Sequence, residues 1–182
     1  MPTLEIYLNQ EFKTSKPNQV WVSNMTYFIF NDKVFYICVI IDLFSRKTVS
    51  HKVGFSDSTQ LAKSTFVQVH RERQPNDSLL FHTDRGKNFR SKTFCDCLKS
   101  LHVTQSFSRA HVPYDNSAAE AFFASMKREE LYRTKYRAEK ELRSAIDDFM
   151  LFYNSKRLHA TLKYRTPNQA EPDYYDKQKA CG

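Results

Sequence analysis

Three polar side chains, far apart in the chain, stand where short strands and a helix could bring them together: Asn24, Asp84 and Glu120. Asn24 interrupts the apolar stretch WVSNMTY, so it is either a satisfied core polar group or the first member of a reacting set. Asp84 closes the run SLLFHTD and is followed by Arg85 and Gly86, where the chain must turn and its backbone can approach a ligand. Glu120 falls in the first turn of a helix, a place the helix dipole favours for any carboxylate. Acidic groups from a central strand, a neighbouring strand end and a helix can hold two hard divalent cations, Mg2+ or Mn2+, about 3.5–4 Å apart. Such a pair serves in-line phosphoryl transfer: one ion activates water or a 3′-hydroxyl and the other stabilises the leaving oxygen. Basic groups downstream would then grip a phosphate backbone.

The elements that must position these groups follow from periodicity and turn residues. Val20 to Phe30, Val34 to Leu43 and Lys47 to Phe55 read as strands, joined by NDK and FSR turns. Connections so short make antiparallel neighbours, and the first strand of such a meander belongs in the middle of the sheet. Ser58 caps a helix with Leu61, Ala62, Thr65, Phe66 and Val69 on one face. A buried strand over 78–84 follows, then a helix in SKTFCDCLKSL with Phe94, Cys97, Leu98 and Leu101 inward, and a last strand in HVTQSFS. Helices are predicted over Ala118 to Tyr132 and Ala138 to Tyr153, where AFFASM and DFMLFY are core faces, not stacking platforms. Residues 1–19 form a polar arm, 20–170 the core and 171–182 a polar tail. The order β-β-β-α-β-α-β-α-α implies an α/β fold, a mixed five-stranded sheet flanked by helices.

Composition bounds the partners. The 182 residues are 41% hydrophobic and 14% aromatic, which suits one domain with a real core. No apolar run reaches membrane-helix length and the start lacks the pattern of a signal peptide, so a cytoplasmic location is expected. Cys38, Cys95, Cys97 and Cys181 match neither a disulfide framework nor a zinc spacing, and are read as thiols. A net charge of +8 favours a polyanion, nucleic acid first.

The segments PNQVWVSNMTY, VIIDLFSRKTVS, HTDRGKNFRSKTF, YDNSAAEAFFASMKRE and FYNSKRLHATLKYRTP resemble, in order and spacing, the catalytic core of IS3-type insertion-sequence transposases. That group belongs with retroviral integrases in the DDE superfamily, on a ribonuclease-H-like fold. The resemblance covers about residues 10–170, and positions 84 and 120 leave the family's 35 residues between them. It implies that Asp84 and Glu120 are the second and third triad acids and that Asn24 stands where the family has Asp. Lys127, seven residues after Glu120, matches a basic residue that positions transposon-end DNA. Tyr114 and Asn116 shape the approach to the catalytic helix. The implied partners are DNA ends and target DNA, with a homo-oligomer by analogy, in a bacterial, nucleoid-associated setting.

Asn24 is the departure. A carboxylate can bridge two cations with two anionic oxygens, whereas an amide offers one neutral oxygen and an NH2 that cannot coordinate. Activity lowered by orders of magnitude is therefore expected, with fold and DNA binding kept. Asp42 on the adjacent strand is expected to order the site or its turn, not to replace the missing acid. The family's helix-turn-helix region before the core is expected to be missing from this chain. Arg85, Arg128, Lys156 and Arg157 are candidate phosphate contacts. His159 either joins them or lies on a solvated basic stretch, and His82 is read as structural. A catalytically silent DNA-binding remnant or domesticated module is the alternative function, and a ribonuclease-H-like nuclease a second.

Overall fold

The computed structural model describes residues 14–76, 78–108 and 116–180. Its sheet has five strands: β1 (Val20–Phe30), β2 (Lys33–Asp42), β3 (Thr48–Gly54), β4 (Leu80–Thr83) and β5 (Thr104–Phe107). Their order is β3-β2-β1-β4-β5, so β1 is central. β1 to β3 form the antiparallel meander, while β4 joins β1 and β5 joins β4 in parallel. The β1–β2 hairpin turns on Asn31 and Asp32, both at positive φ, which suits a two-residue turn matching strand twist.

Parallel pairing demands crossovers, and helices supply them. α1 (Thr59–Arg73) links β3 to β4, with Ser58 Oγ accepting from Leu61 N as its cap. A one-turn helix, α2 (Lys87–Arg90), and α3 (Lys92–Ser100) link β4 to β5. α3 buries Phe94, Cys95 and Leu98, so Cys95 points inward and Cys97 is only half-buried, unlike the face expected from spacing. α4 (Ser117–Met126) runs into a π-helical turn at Lys127–Leu131, where one regular helix to Tyr132 was expected. α5 (Glu139–Ser155) and α6 (Pro167–Ala180) complete the order.

Because β1 is covered on both faces, alternate residues serve two cores. Val20 and Val22 join Phe122, Phe123, Phe149 and Met150 from α4 and α5 on one face. Trp21 joins Phe66, Phe81 and Phe94 on the other. The aromatic runs of α4 and α5 thus pack mostly inward, although Leu151 and Phe152 face outward.

The stretch read as a polar tail is helical as α6, fastened by one buried acid. Glu171 is 8% exposed, accepts from Ser45 Oγ at 2.9 Å and pairs with Arg73 Nη2 at 2.7 Å. Asp42 lies beneath this cluster. It accepts from the backbone N–H of Asn18, Phe44 and Ser45, from Trp21 Nε1 and from Ser45 Oγ. It pairs with Trp21 across the strands, and hence shares Trp21's face, opposite to the face of Val39 and its partner Asn24. Asp42 is a turn-former and cannot replace an acid at position 24.

Candidate active site

The site lies where the central parallel pairing ends. Ser23↔Thr83 is the last β1–β4 pair, and Asn24 and Asp84 each follow it by one residue. Both continue the side-chain alternation on the face that packs against α4. α4 is pinned to the same point: Asn116 Nδ2 donates to Ser23 O at 3.0 Å, with Asn116 only 2% exposed. Glu120 N donates to Asn116 O, so Glu120 stands one turn above this joint. Ala119, Phe122, Phe123 and Met126 turn into the core, and Glu120 is left exposed at the sheet edge. Tyr114, expected to shape the same approach, lies outside the described residues.

Glu120 feels the charge of Asp84. Burial pushes the Glu120 carboxyl above its ordinary value and the Asp84 charge pushes it further. Asp84 is raised too, chiefly by burial and then by Asp57, against the lowering effect of a 2.8 Å bond from Gly86 N to Oδ1. Gly86 leaves room for that close approach, since a Cβ there would stand 2.8 Å from Asp84 Oδ1 and the carboxylate would have to shift. Its φ of −55° needs no glycine, so space alone sets the residue. The backbone at this turn serves the chain's own carboxylate.

Asn24 is half-buried, and its Oδ1 accepts from Met25 N at 2.7 Å. The amide oxygen is therefore turned to the backbone, leaving the NH2 as its free end. Among the described residues no group of three His, Cys, Asp or Glu side chains could hold a metal ion. By its chemistry, a set of two carboxylates and one neutral amide would suit one hard divalent cation with water better than two bridged cations.

The basic residues divide. Lys127 begins the π-helical turn with Nζ 5.5 Å from the ring centroid of Tyr27, and Arg128 beside it is 74% exposed. Arg85 lies at the site mouth, its Nε donating to Ser108 O at 2.8 Å. Lys156 is exposed beyond α5. Arg157 is ion-paired with Glu129 and lies 5.8 Å over the Tyr153 ring, so its charge is already committed. His159 packs its ring against Tyr153, 4.9 Å between centroids, and its backbone bridges to Arg165. His82 is fully buried, with Ser106 Oγ at 2.9 Å from Nδ1 and Ser108 Oγ at 3.2 Å from Nε2. It is a satisfied core histidine, as read.

A sequence profile of the integrase core domain matches residues 14–113, and a second integrase core domain profile matches residues 101–167. The chain belongs to the integrase core domain family. It is 33% identical over 168 residues to the transposase for insertion sequence element IS904 of Lactococcus lactis, covering 90% of this chain and 65% of that protein. It is 29% identical over 160 residues to the putative transposase InsK for insertion sequence element IS150 of Escherichia coli, covering 88% and 56%. The chain thus spans less than two thirds of the length of these relatives. The HTLV-2 integrase catalytic core in complex with magnesium, in a dimeric form, superposes with a TM-score of 0.62 at 18% identity, covering 86% of this chain and 97% of that one. That likeness fixes the ribonuclease-H-like fold, and the relatives support an IS3-type DDE transposase catalytic core. DDE transposases and integrases are polynucleotidyl transferases. Among the described residues no helix is long and apolar enough to cross a membrane.

Proposed function

We propose that this chain is the DNA-cutting and DNA-joining core of an insertion-sequence transposase, acting at transposon ends and impaired by Asn24. One observation carries the reading. Asn24, Asp84 and Glu120, 96 residues apart at the extremes, come to one sheet edge, with the half-buried Lys127 and the exposed Arg128 farther along the same helix. Asp84 and Glu120 would hold Mg2+ or Mn2+, which when bound supplies charge for phosphoryl transfer. Arg85, Lys127 and Lys156 would meet phosphates, and Arg128 and Arg157 would do so only by giving up Glu129, with which both are paired. The amide at 24 withholds both the bridging oxygen and a full negative charge. With each 1.36 kcal/mol worth about tenfold in rate, loss of one cation's stabilisation lowers activity by about two orders of magnitude or more.

The test compares this chain with its Asn24→Asp version in Mg2+- and Mn2+-dependent cleavage and strand transfer on labelled DNA, at matched folding and DNA affinity. Cutting by the Asp version alone is the expected result. Equal cutting by both removes the impairment reading. DNA binding without cutting by either version favours the second reading, a DNA-binding module, which the turned-away Asn24 oxygen already favours.

A further inference from the structure

Around Tyr153, at the C-terminal end of α5, three basic side chains converge on one carboxylate. The Tyr153 ring is buried, with Arg157 Cζ 5.8 Å from its centroid and the His159 ring edge-on at 4.9 Å. Arg46, in the turn between β2 and β3, is half-buried, and its charge acts on both Tyr153 and His159. Asp42 is the acid whose charge reaches Arg46, but its oxygens already accept from five donors. The Arg46 backbone stands at a φ of 60°, a left-handed conformation that costs a residue with a Cβ. Burial pulls the Arg46 guanidinium below its ordinary pKa, and His159 is lowered by burial and then by Arg157 and Arg46. Two buried nitrogens here, Arg157 Nε and His159 Nε2, have no hydrogen-bond partner among the described residues. Positive charge so poorly hydrated calls for an anion. Glu129 supplies one oxygen: its Oε1 accepts from Nη1 and Nη2 of Arg157 and, at 3.3 Å, from Arg128 Nη2. That leaves Arg46 and both orphan nitrogens unanswered.

We propose that this cluster is a phosphate pocket, in which a DNA phosphodiester enters between Arg46, Arg157 and His159 and displaces Glu129 from Arg157. The inference rests on the transposase reading. Glu129 engages the Nη1–Nη2 end of the guanidinium through a single oxygen. A phosphate on the Nε–Nη2 edge takes two donors with two oxygens and so gives Nε its partner. Its negative charge also faces Arg46, and a phosphate oxygen accepts from His159 in the Nε2–H tautomer. The pocket is separate from the reacting site. Leu43 N, three residues before Arg46, donates to Val20 O, and Val20 precedes Asn24 by four residues, about 13 Å along β1 at 3.3–3.4 Å each. Arg46, Arg157 and His159 are thereby positioning residues: they hold DNA away from Asp84 and Glu120 and touch no reacting atom.

The test measures binding of a labelled duplex to the full chain and to Glu129→Gln, Glu130→Gln, Arg46→Gln, Arg157→Gln and the Glu129→Gln/Arg157→Gln double variant, each checked for folding by circular dichroism. Glu130 accepts from the Tyr136 hydroxyl and not from an arginine, so its variant controls for the loss of one negative charge. Glu129→Gln tightens duplex binding about fivefold, the worth of one partly exposed ion pair, and Glu130→Gln by less than about twofold. In the Arg157→Gln background the gain from Glu129→Gln falls below about twofold. Arg46→Gln weakens binding about fivefold and reduces the salt slope by about one phosphate contact. If Arg157→Gln does not fold, the Glu129, Glu130 and Arg46 variants decide. The inference is overturned if Glu129→Gln leaves binding unchanged, if Glu130→Gln matches it, if the gain persists without Arg157, or if Arg46→Gln keeps the parent's affinity and slope. If the parent binds no duplex, the transposase reading falls with it; normal duplex binding with any of those results overturns the pocket alone.

Discussion

Asn116 is the joint that sets Glu120 over Asn24, and its replacement tests the geometry without touching a candidate ligand. Its Nδ2 donates at 3.0 Å to Ser23 O in surroundings closed to water, Asn116 being 2% and Ser23 0% exposed. Asn116→Ala leaves a buried carbonyl unpaired, at a cost of about 1–3 kcal/mol. For a domain of this size that is a fall in Tm of about 2–12 °C. Asn116→Asp is nearly isosteric and should be worse near neutral pH. It sets an anionic oxygen against the Ser23 carbonyl, where the native Oδ1 already has no partner among the described residues. The Asp variant can recover by protonating, because a neutral carboxyl donates to Ser23 O as the amide does. Its folded pKa is then raised above the unfolded value of about 3.9, so the folded state binds more protons and the variant's deficit shrinks as pH falls. Paired thermal melts of parent, Ala and Asp forms between pH 8 and 5 provide the assay. An Asp form as stable as the parent at neutral pH, or a deficit that grows on acidification, refutes the joint.

Two further outcomes follow from single contacts. Gly86→Ala forces the Asp84 carboxylate away from a Cβ at 2.8 Å and breaks the Gly86 N–H bond, so Mn2+ binding read by electron paramagnetic resonance should weaken severalfold with a stability loss of about 1–3 kcal/mol. His159 has its pKa lowered by burial and then by Arg157 and Arg46, so the unfolded chain takes up the proton first. Stability from this group is present above the unfolded pKa of about 6.5 and declines as pH falls below it, and melts of His159→Gln should show a flatter decline.

Much of this was legible in the sequence. The alternation and turn residues placed β1 over Val20–Phe30, and the short connections placed it in the sheet's centre. That Asp84 follows a strand end and Glu120 stands in a helix's first turn was legible, because both are local signals. Asp42 and His82 were rightly read as structural. What stayed hidden depends on distant partners. α6 looks like a polar tail because its anchor, Glu171, is one acid whose partners Ser45 and Arg73 lie 126 and 98 residues away. The π-helical turn at Lys127–Leu131 is invisible, since KREEL is good helix sequence, and the contact of Tyr27 with Lys127 spans 100 positions. Arg157 reads as a free cation until Glu129 folds against it. The orientation of the Asn24 amide was equally unreadable, because its oxygen is satisfied by the next backbone N–H and not by a residue type.

The most direct measurement counts Mn2+ bound to this chain and to its Asn24→Asp version by electron paramagnetic resonance at neutral pH. With residue 24 as the withheld ligand, the parent should bind one ion weakly through Asp84 and Glu120. The Asp version should bind two, the first at least about tenfold more tightly. Identical stoichiometry and affinity in the two proteins would contradict the account, because position 24 would then lie outside the cation site.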